Sequence, residues 1–320
     1  MTSPWAGREK ISSGDTFETL HRGLTVSLIS TPRDELKMCS LDESLSGVVA
    51  RNTEHYDDLP VTAEKGEKIV GLLHAGDFAD KSSPAGRIRD HCRPLSEEYL
   101  IGADTSILDF VKEADRRPCR LVVSGTRIVG LVTLSDLQKL PVRASLFALI
   151  TGLEIAMSEA IKKEFPTGEA WLDLLTDSRQ RKIEEESENS EQAGGFVDKL
   201  LFTQFGDKAK ILVKSSCFSL SKKKLRSQLK EIQTLRDNLA HANEYAATPQ
   251  EARKVCAVVQ SLLELREEIR TTILNSSLSP DSEKLAQLRQ AVQDPLFLAD
   301  SEETMELFAE ADSEWWEPKK

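Results

Sequence analysis

The sequence predicts an α+β N-terminal half, two small sheets with helices, followed by an all-α helical bundle. Three observations carry this. Up to about residue 139, short β-rich runs alternate with helical patterns; within that stretch one strand–turn–strand unit occurs twice; and from Leu140 the pattern is helical almost without interruption. A length of 320 residues suffices for two ordinary domains with tails. The expected division is a disordered start at 1–13, the repeated module at 14–139, the bundle at 140–276, and an acidic tail at 277–320 that is partly helical or disordered.

In the first copy of the unit, Leu59–Ala63 reads as a strand and Glu64–Glu67 as a turn bent at Gly66. Lys68–His74 is the return strand, ending at Ala75-Gly76-Asp77-Phe78. In the second copy, Cys119–Val123 is the strand and Ser124-Gly125-Thr126 the turn. Arg127–Thr133 returns, ending at Leu134-Ser135-Asp136-Leu137. A helical pattern precedes each hairpin, at 42–55 and 106–116, with Asp42, and Asp104 or Ser106, as N-caps.

Five helices are expected in the second half. Ala144, Phe147, Ala148, Ile150 to Leu153 and Met157 mark the first, which Pro166-Thr167-Gly168 ends after Phe165. A highly charged second helix covers 170–191 and breaks at Gly194-Gly195. The third covers 196–214. The fourth covers 221–245, with Leu225, Leu229, Ile232, Leu235 and Leu239 on one stripe. Thr248 caps the fifth, Pro249 takes its first position, and it runs to about Asn275.

Both hairpins close on one motif: Gly, an apolar residue, any residue, Ser or Thr, two residues, then Asp. The second copy matches fully at Gly130, Thr133 and Asp136, whereas the first matches at Gly71 and Asp77 but carries His74 in the hydroxyl position. Over about 20–139 this resembles the tandem CBS domain, named for cystathionine β-synthase. The resemblance implies an adenine nucleotide as regulatory ligand and an attached domain under its control. An aspartate there accepts from ribose hydroxyls, each charge-assisted bond being worth about 1.5–3 kcal/mol. By the same resemblance, Thr133 and the amides of the helix start would hold phosphate. The alternative is that Asp136 and Asp77 only cap helices.

Late in the fourth helix stands Leu235-Arg236-Asp237-Asn238-Leu239-Ala240-His241. A histidine takes a proton from a ribose 2′-hydroxyl near neutral pH, and an arginine stabilises the charge building on phosphate. In its helical context, over about 141–275, this motif resembles the HEPN domain (higher eukaryotes and prokaryotes nucleotide-binding). The resemblance implies a metal-independent endoribonuclease whose site forms across a homodimer. Arg236 would bind the scissile phosphate, His241 would act on the 2′-hydroxyl or the leaving oxygen, Asp237 would orient one of them, and Glu154 of the first helix would complete the site. On a straight helix Arg236 and His241 point about 140° apart, which is why a second chain is expected. The alternative is that Arg236 pairs with Glu231 or Glu244 on the surface and His241 is incidental.

The net charge of −11 argues against nucleic-acid binding over the whole surface. A basic stretch nevertheless lies between two acidic ones. It comprises Lys208, Lys210, Lys214, Lys222, Lys223, Lys224, Arg226 and Lys230, of which the last five are the expected RNA contacts. It reads equally as a solvated helix face. The five cysteines have no paired spacing, which points to reduced thiols in a cytoplasmic protein without a metal site. No cofactor is expected for catalysis, and neither a metal-ligand cluster nor a glycine-rich phosphate loop suggests a metallonuclease, kinase or dehydrogenase. The longest apolar run, Ala144–Met157, is short and carries Glu154, so no membrane partner is expected. Trp315 and Trp316 in the acidic tail read either as an anchor for a protein partner or as part of a disordered end. Taken together, the sequence points to a nucleotide-regulated endoribonuclease; the alternative is a non-catalytic, nucleotide-responsive scaffold that binds RNA or protein.

Overall fold

The computed structural model describes residues 21–63, 68–78, 84–166, 168–195, 198–215 and 221–278. The start expected to be disordered, the turn expected around Gly66, the beginning of the expected third helix at Phe196 and the tail with Trp315 and Trp316 lie outside the described residues.

Two four-stranded mixed sheets form the N-terminal half. The strands are β1 (Thr31–Pro32), β2 (Cys39–Ser40), β3 (Asp58–Thr62), β4 (Ile69–His74), β5 (Arg93–Pro94), β6 (Leu100–Gly102), β7 (Cys119–Ser124) and β8 (Arg127–Thr133). One sheet has the order β2-β3-β4-β5 and the other β1-β8-β7-β6. Each is built the same way: a short strand runs parallel to the first hairpin strand, the hairpin is antiparallel, and a two-residue strand ending in proline covers the far edge. In the second sheet that edge strand is β1, from the start of the described chain.

The repeated glycine has a steric cause. Gly71 lies opposite Pro94, and Gly130 opposite Pro32. A Cβ at Gly71 would fall 2.3 Å from the Arg93 carbonyl oxygen, and one at Gly130 would fall 2.6 Å from that of Thr31. Only glycine lets the edge strand come this near. A register shift follows at the equivalent step in both hairpins, between Val61 and Thr62 and between Val122 and Val123.

The helices are α1 (Leu45–Arg51), α2 (Ile107–Glu113), α3 (Leu140–Glu164), α4 (Asp177–Gln192), α5 (Phe205–Lys214), α6 (Lys222–Ala240) and α7 (Pro249–Leu278). Several are shorter than their sequence patterns. α1 is capped by Ser44, whose hydroxyl accepts from the Gly47 amide, and not by Asp42, which pairs with Arg89. Ser106 caps α2 as expected, accepting from Asp109. Leu172–Leu174 and Lys199–Phe202 are 3-10 turns ahead of α4 and α5, where longer α-helices were expected. α6 ends at Ala240 rather than at Tyr245. Thr248 and Glu251 form a reciprocal cap at the start of α7.

Two apolar clusters organise the repeats. Leu45, Val48, Leu59, Val61, Leu73 and Ile88 pack α1 on the first sheet. Ile69 and Leu72 meet Cys119, Leu121 and Leu131, joining one sheet to the other. In the bundle, Leu146, Leu149, Leu153 and Met157 of α3 are buried, as is the stripe Leu225, Leu229, Ile232, Leu235 and Leu239 of α6. α3 packs against α2, α5 and α6. It is longer than its apolar run: it has 25 residues, an 18-residue stretch of it has a mean hydropathy of 1.5, and 44% of that stretch is buried inside the protein, so by length and composition it is the one described helix that suits a membrane crossing. The described residues up to Arg266 belong to one compact unit and those from Glu267 on to a second.

Within the first unit the halves are tied by polar contacts. The Gln260 amide donates to the Lys112 carbonyl at 2.7 Å, and the Gln138 amide to that of Ala246 at 2.7 Å. The Tyr245 hydroxyl donates to the Leu137 carbonyl, and burial pushes it up to about 12 against the opposing effect of Arg143. Arg143 itself donates to the carbonyls of Asn238, Leu239 and Asn243 at 3.2, 3.0 and 2.7 Å.

Gly130→Ala is expected to destabilise the protein by about 1–3 kcal/mol, because overpacking displaces β1. Gly23→Ala, with nothing within 4 Å, is the control and should change little. Urea denaturation compares them; equal midpoints would show that the edge strand yields freely. A second expectation concerns the thiols. Burial pushes Cys39 up to about 11 and Cys256 up to about 12, and holds Cys119, beside the Asp58 carboxylate, well above the usual thiol range. Iodoacetamide at pH 8 should therefore leave these three unmodified in the native protein and label them in denaturant. Rapid native labelling of Cys119, read by peptide mass, would contradict that picture.

Candidate functional site

The second repeat's motif closes on itself. Thr133 ends β8, and Leu134–Gln138 forms a 3-10 turn that Asp136 caps from within. Its Oδ2 accepts from the Thr133 amide at 2.6 Å and from the Thr133 hydroxyl at 3.3 Å, while Oδ1 lies 2.8 Å from Lys139 Nζ. Asp136 is buried. The Thr133 and Ser135 hydroxyls are 2.7 Å apart. Capping thus occupies Asp136, as the helix-cap alternative has it, and the same turn presents two hydroxyls side by side.

The first repeat differs because of His74. Its Nδ1 lies 2.8 Å from Asp58 Oδ1, and its Nε2 3.8 Å from Asp77 Oδ1. Asp77 is exposed and also pairs with Arg93 at 3.3 Å. His74 thus lies between the two carboxylates, and Asp77 is exposed where Asp136 is buried.

A cavity of about 400 Å³ opens beside the second motif. Thr133, Ser135 and Asp136 line it from one side, and Tyr56, Asp57 and Asp58 from the first repeat. The bundle contributes Ala246, Thr248, Ala252 and Arg253. Tyr56 is an exposed aromatic ring on a built loop: the Asn52 side-chain amide donates to the Tyr56 carbonyl at 2.8 Å, and the Tyr56 amide donates to Asn52 Oδ1 at 3.1 Å. His55 enters the loop with φ 56°, a left-handed conformation. The cavity therefore offers an aromatic face, hydroxyls, carboxylates and cations together.

The Arg236 motif lies at the C-terminal end of α6. Arg236 pairs with its neighbour Asp237 at 3.2 Å, and not with Glu231 or Glu244. Both are half-buried. His241 is the exposed C-cap residue, its amide donating to the Asp237 carbonyl at 3.1 Å. Ala242 follows with φ 54°, turning the chain out of the helix. Glu154 faces α5 and meets the buried Lys208 Nζ at 3.1 Å. Lys208 donates as well to the Thr203 carbonyl at 2.8 Å, so it belongs to the core and leaves the basic face. Beside it, buried Asp207 accepts from Arg179 at 3.2 and 2.6 Å. Lys222, Lys223, Lys224, Arg226 and Lys230 are all exposed on α6, the helix that carries Arg236.

Sequence reading did not single out Tyr56, Lys37 or Arg253 as cavity residues. The loop at 52–56 has no motif of its own, and Arg253 reaches the cavity only because α7 starts beside the second repeat.

No family model and no curated protein matches the chain. Solved structures similar to part of it include the CBS domain of a bacterial CNNM/CorC family Mg2+ transporter in complex with ATP, with 28% identity over 39% of this chain and 91% of that one and a TM-score of 0.32. Another is a hemolysin-like protein containing a CBS domain, from Oenococcus oeni PSU, with 20% identity over 38% and 94% of the two chains and a TM-score of 0.31. A third is CBSX2 in complex with AMP, with 20% identity over 38% and 96% and a TM-score of 0.32.

Proposed function

We propose that the repeats form a tandem CBS module that binds an adenine nucleotide and regulates the helical half, a metal-independent, HEPN-type endoribonuclease acting as a homodimer. The observation that carries this reading is the cavity. It is lined by Thr133, Ser135 and Asp136 of the repeat and by Ala246 and Thr248 of the segment that follows His241. A ligand there touches the sensor and the chain leading out of the candidate catalytic motif at once. The base would lie against Tyr56, the ribose at the carboxylates, and phosphate at the paired hydroxyls.

In the helical half, exposed His241 is free to act as the base toward a 2′-hydroxyl, and Arg236 with Asp237 lies one turn earlier on α6. Attack of the 2′-oxygen on phosphorus breaks the bond to the 5′-oxygen and leaves a 2′,3′-cyclic phosphate, a step that requires no metal. The row from Lys222 to Lys230 suits an RNA backbone. Leu140, Phe147 and Ile155 are exposed apolar residues of α3, a composition that suits contact with a second copy. Two ion pairs favour the second reading, a non-catalytic scaffold: Arg236 is held by Asp237 and Glu154 by Lys208.

His241→Ala and Arg236→Ala are each expected to abolish cleavage of total RNA with little loss of stability, and cleavage should persist in excess EDTA. Full activity in the histidine variant, or loss of activity with chelator, sinks the mechanism; a wild type that binds RNA without cutting it favours the scaffold. For the sensor, Asp136→Asn should weaken AMP binding about tenfold to a hundredfold, and Asp77→Asn should change it far less. Calorimetry that finds both variants equal to wild type removes Asp136 from the site.

A further inference from the structure

Most polar groups around the cavity are already committed. His74 is held by Asp58, and Asp136 by Thr133 and Lys139. The Gln138 amide is spent on Ala246, and Thr248 on its reciprocal cap with Glu251. Two cations remain. Lys37 and Arg253 both line the cavity, both are exposed, and neither has an ion pair among the described residues. Lys37 comes from the segment leading into β2, whereas Arg253 stands in the second turn of α7, in the helical half.

Each group's chemistry suits a different part of one ligand. The aromatic ring and the carboxylates suit a base and a ribose, and free carboxylates repel phosphate. A phosphate chain must therefore be met by the hydroxyls of Thr133 and Ser135 and by cations. A guanidinium engages phosphate oxygens through parallel hydrogen bonds that an ammonium cannot reproduce.

Building on the nucleotide-binding reading above, we propose that Arg253 is the phosphate-holding cation of this cavity, so that the helical half, and not the repeats alone, reads how many phosphates the nucleotide carries. Ligands with a longer phosphate chain then bridge the second repeat to the first turns of α7. Adenosine fills the cavity without making that bridge.

The test is calorimetric titration of the full chain with adenosine, AMP and ATP. Wild type, Arg253→Ala and Arg253→Lys are compared. Wild type should bind ATP more tightly than adenosine. Arg253→Ala should lose about tenfold to a hundredfold in affinity for ATP and less than about twofold for adenosine. Arg253→Lys should recover part of the loss. If wild type binds none of the three, the nucleotide reading itself fails and the inference goes with it. If wild type binds but Arg253→Ala is unchanged for ATP, the nucleotide reading stands and the role of Arg253 is wrong. Equal losses for adenosine and ATP would mean that Arg253 only shapes the cavity, which also overturns the proposal.

Discussion

The guanidinium of Arg143 satisfies three main-chain carbonyls where α6 ends, those of Asn238, Leu239 and Asn243, and lies 4.9 Å from the centre of the Tyr245 ring. The last carbonyls of a helix have no partner within it and carry partial negative charge, so a cation placed there answers both needs. Arg143 belongs to the first turn of α3, directly after the second repeat. Tyr245 continues the chain of contacts, donating back to the Leu137 carbonyl. One side chain therefore sets the end of the repeats, the start of α3 and the exit of α6 against each other. The position of His241, the position of Ala246 on the cavity wall and the start of α7 all depend on that clamp.

The parts of the fold governed by local periodicity were legible in the sequence. β8 matches its expected span, and the buried stripe of α6 is the one its spacing implies, because alternation and helical spacing record which face is buried. Helix ends were less legible. Asp42 and Ser44 are both plausible caps by type, and only the direction of the chain entering α1 selects Ser44. The glycine of the motif was visible as a repeated letter, but its cause, the nearness of Arg93 and Thr31 across the sheet edge, depends on a strand distant in sequence.

The candidate site was half legible for a related reason. Thr133 and Asp136 stand in a motif within one turn, so sequence brings them together. Arg253 and Tyr56 are placed by packing between elements that no local pattern connects. Charge was misread in the opposite sense. Lys208 sits among lysines that face solvent, yet it is buried and answered by Glu154, and adjacent Asp207 is answered by Arg179. Removing one partner from such a pair strands the other charge in the interior, whereas the exposed lysines of α6 are individually worth little to stability. The charged residues that hold the bundle together and those available to a ligand look alike in the sequence.

The placement of β1 has a consequence for the order in which the chain folds. The first sheet is complete once β5 has been synthesised, since all of its strands lie between Cys39 and Pro94. The second sheet needs β1 against Gly130, a closure over about a hundred residues, whose entropic cost must be met before that edge returns any stabilisation. During synthesis the early strand waits, unpaired, while the first repeat forms behind it. The two repeats are similar in architecture but differ in the range of their pairings: the first sheet is closed by strands near one another in sequence, and the second by a strand that ties the beginning of the module to its end.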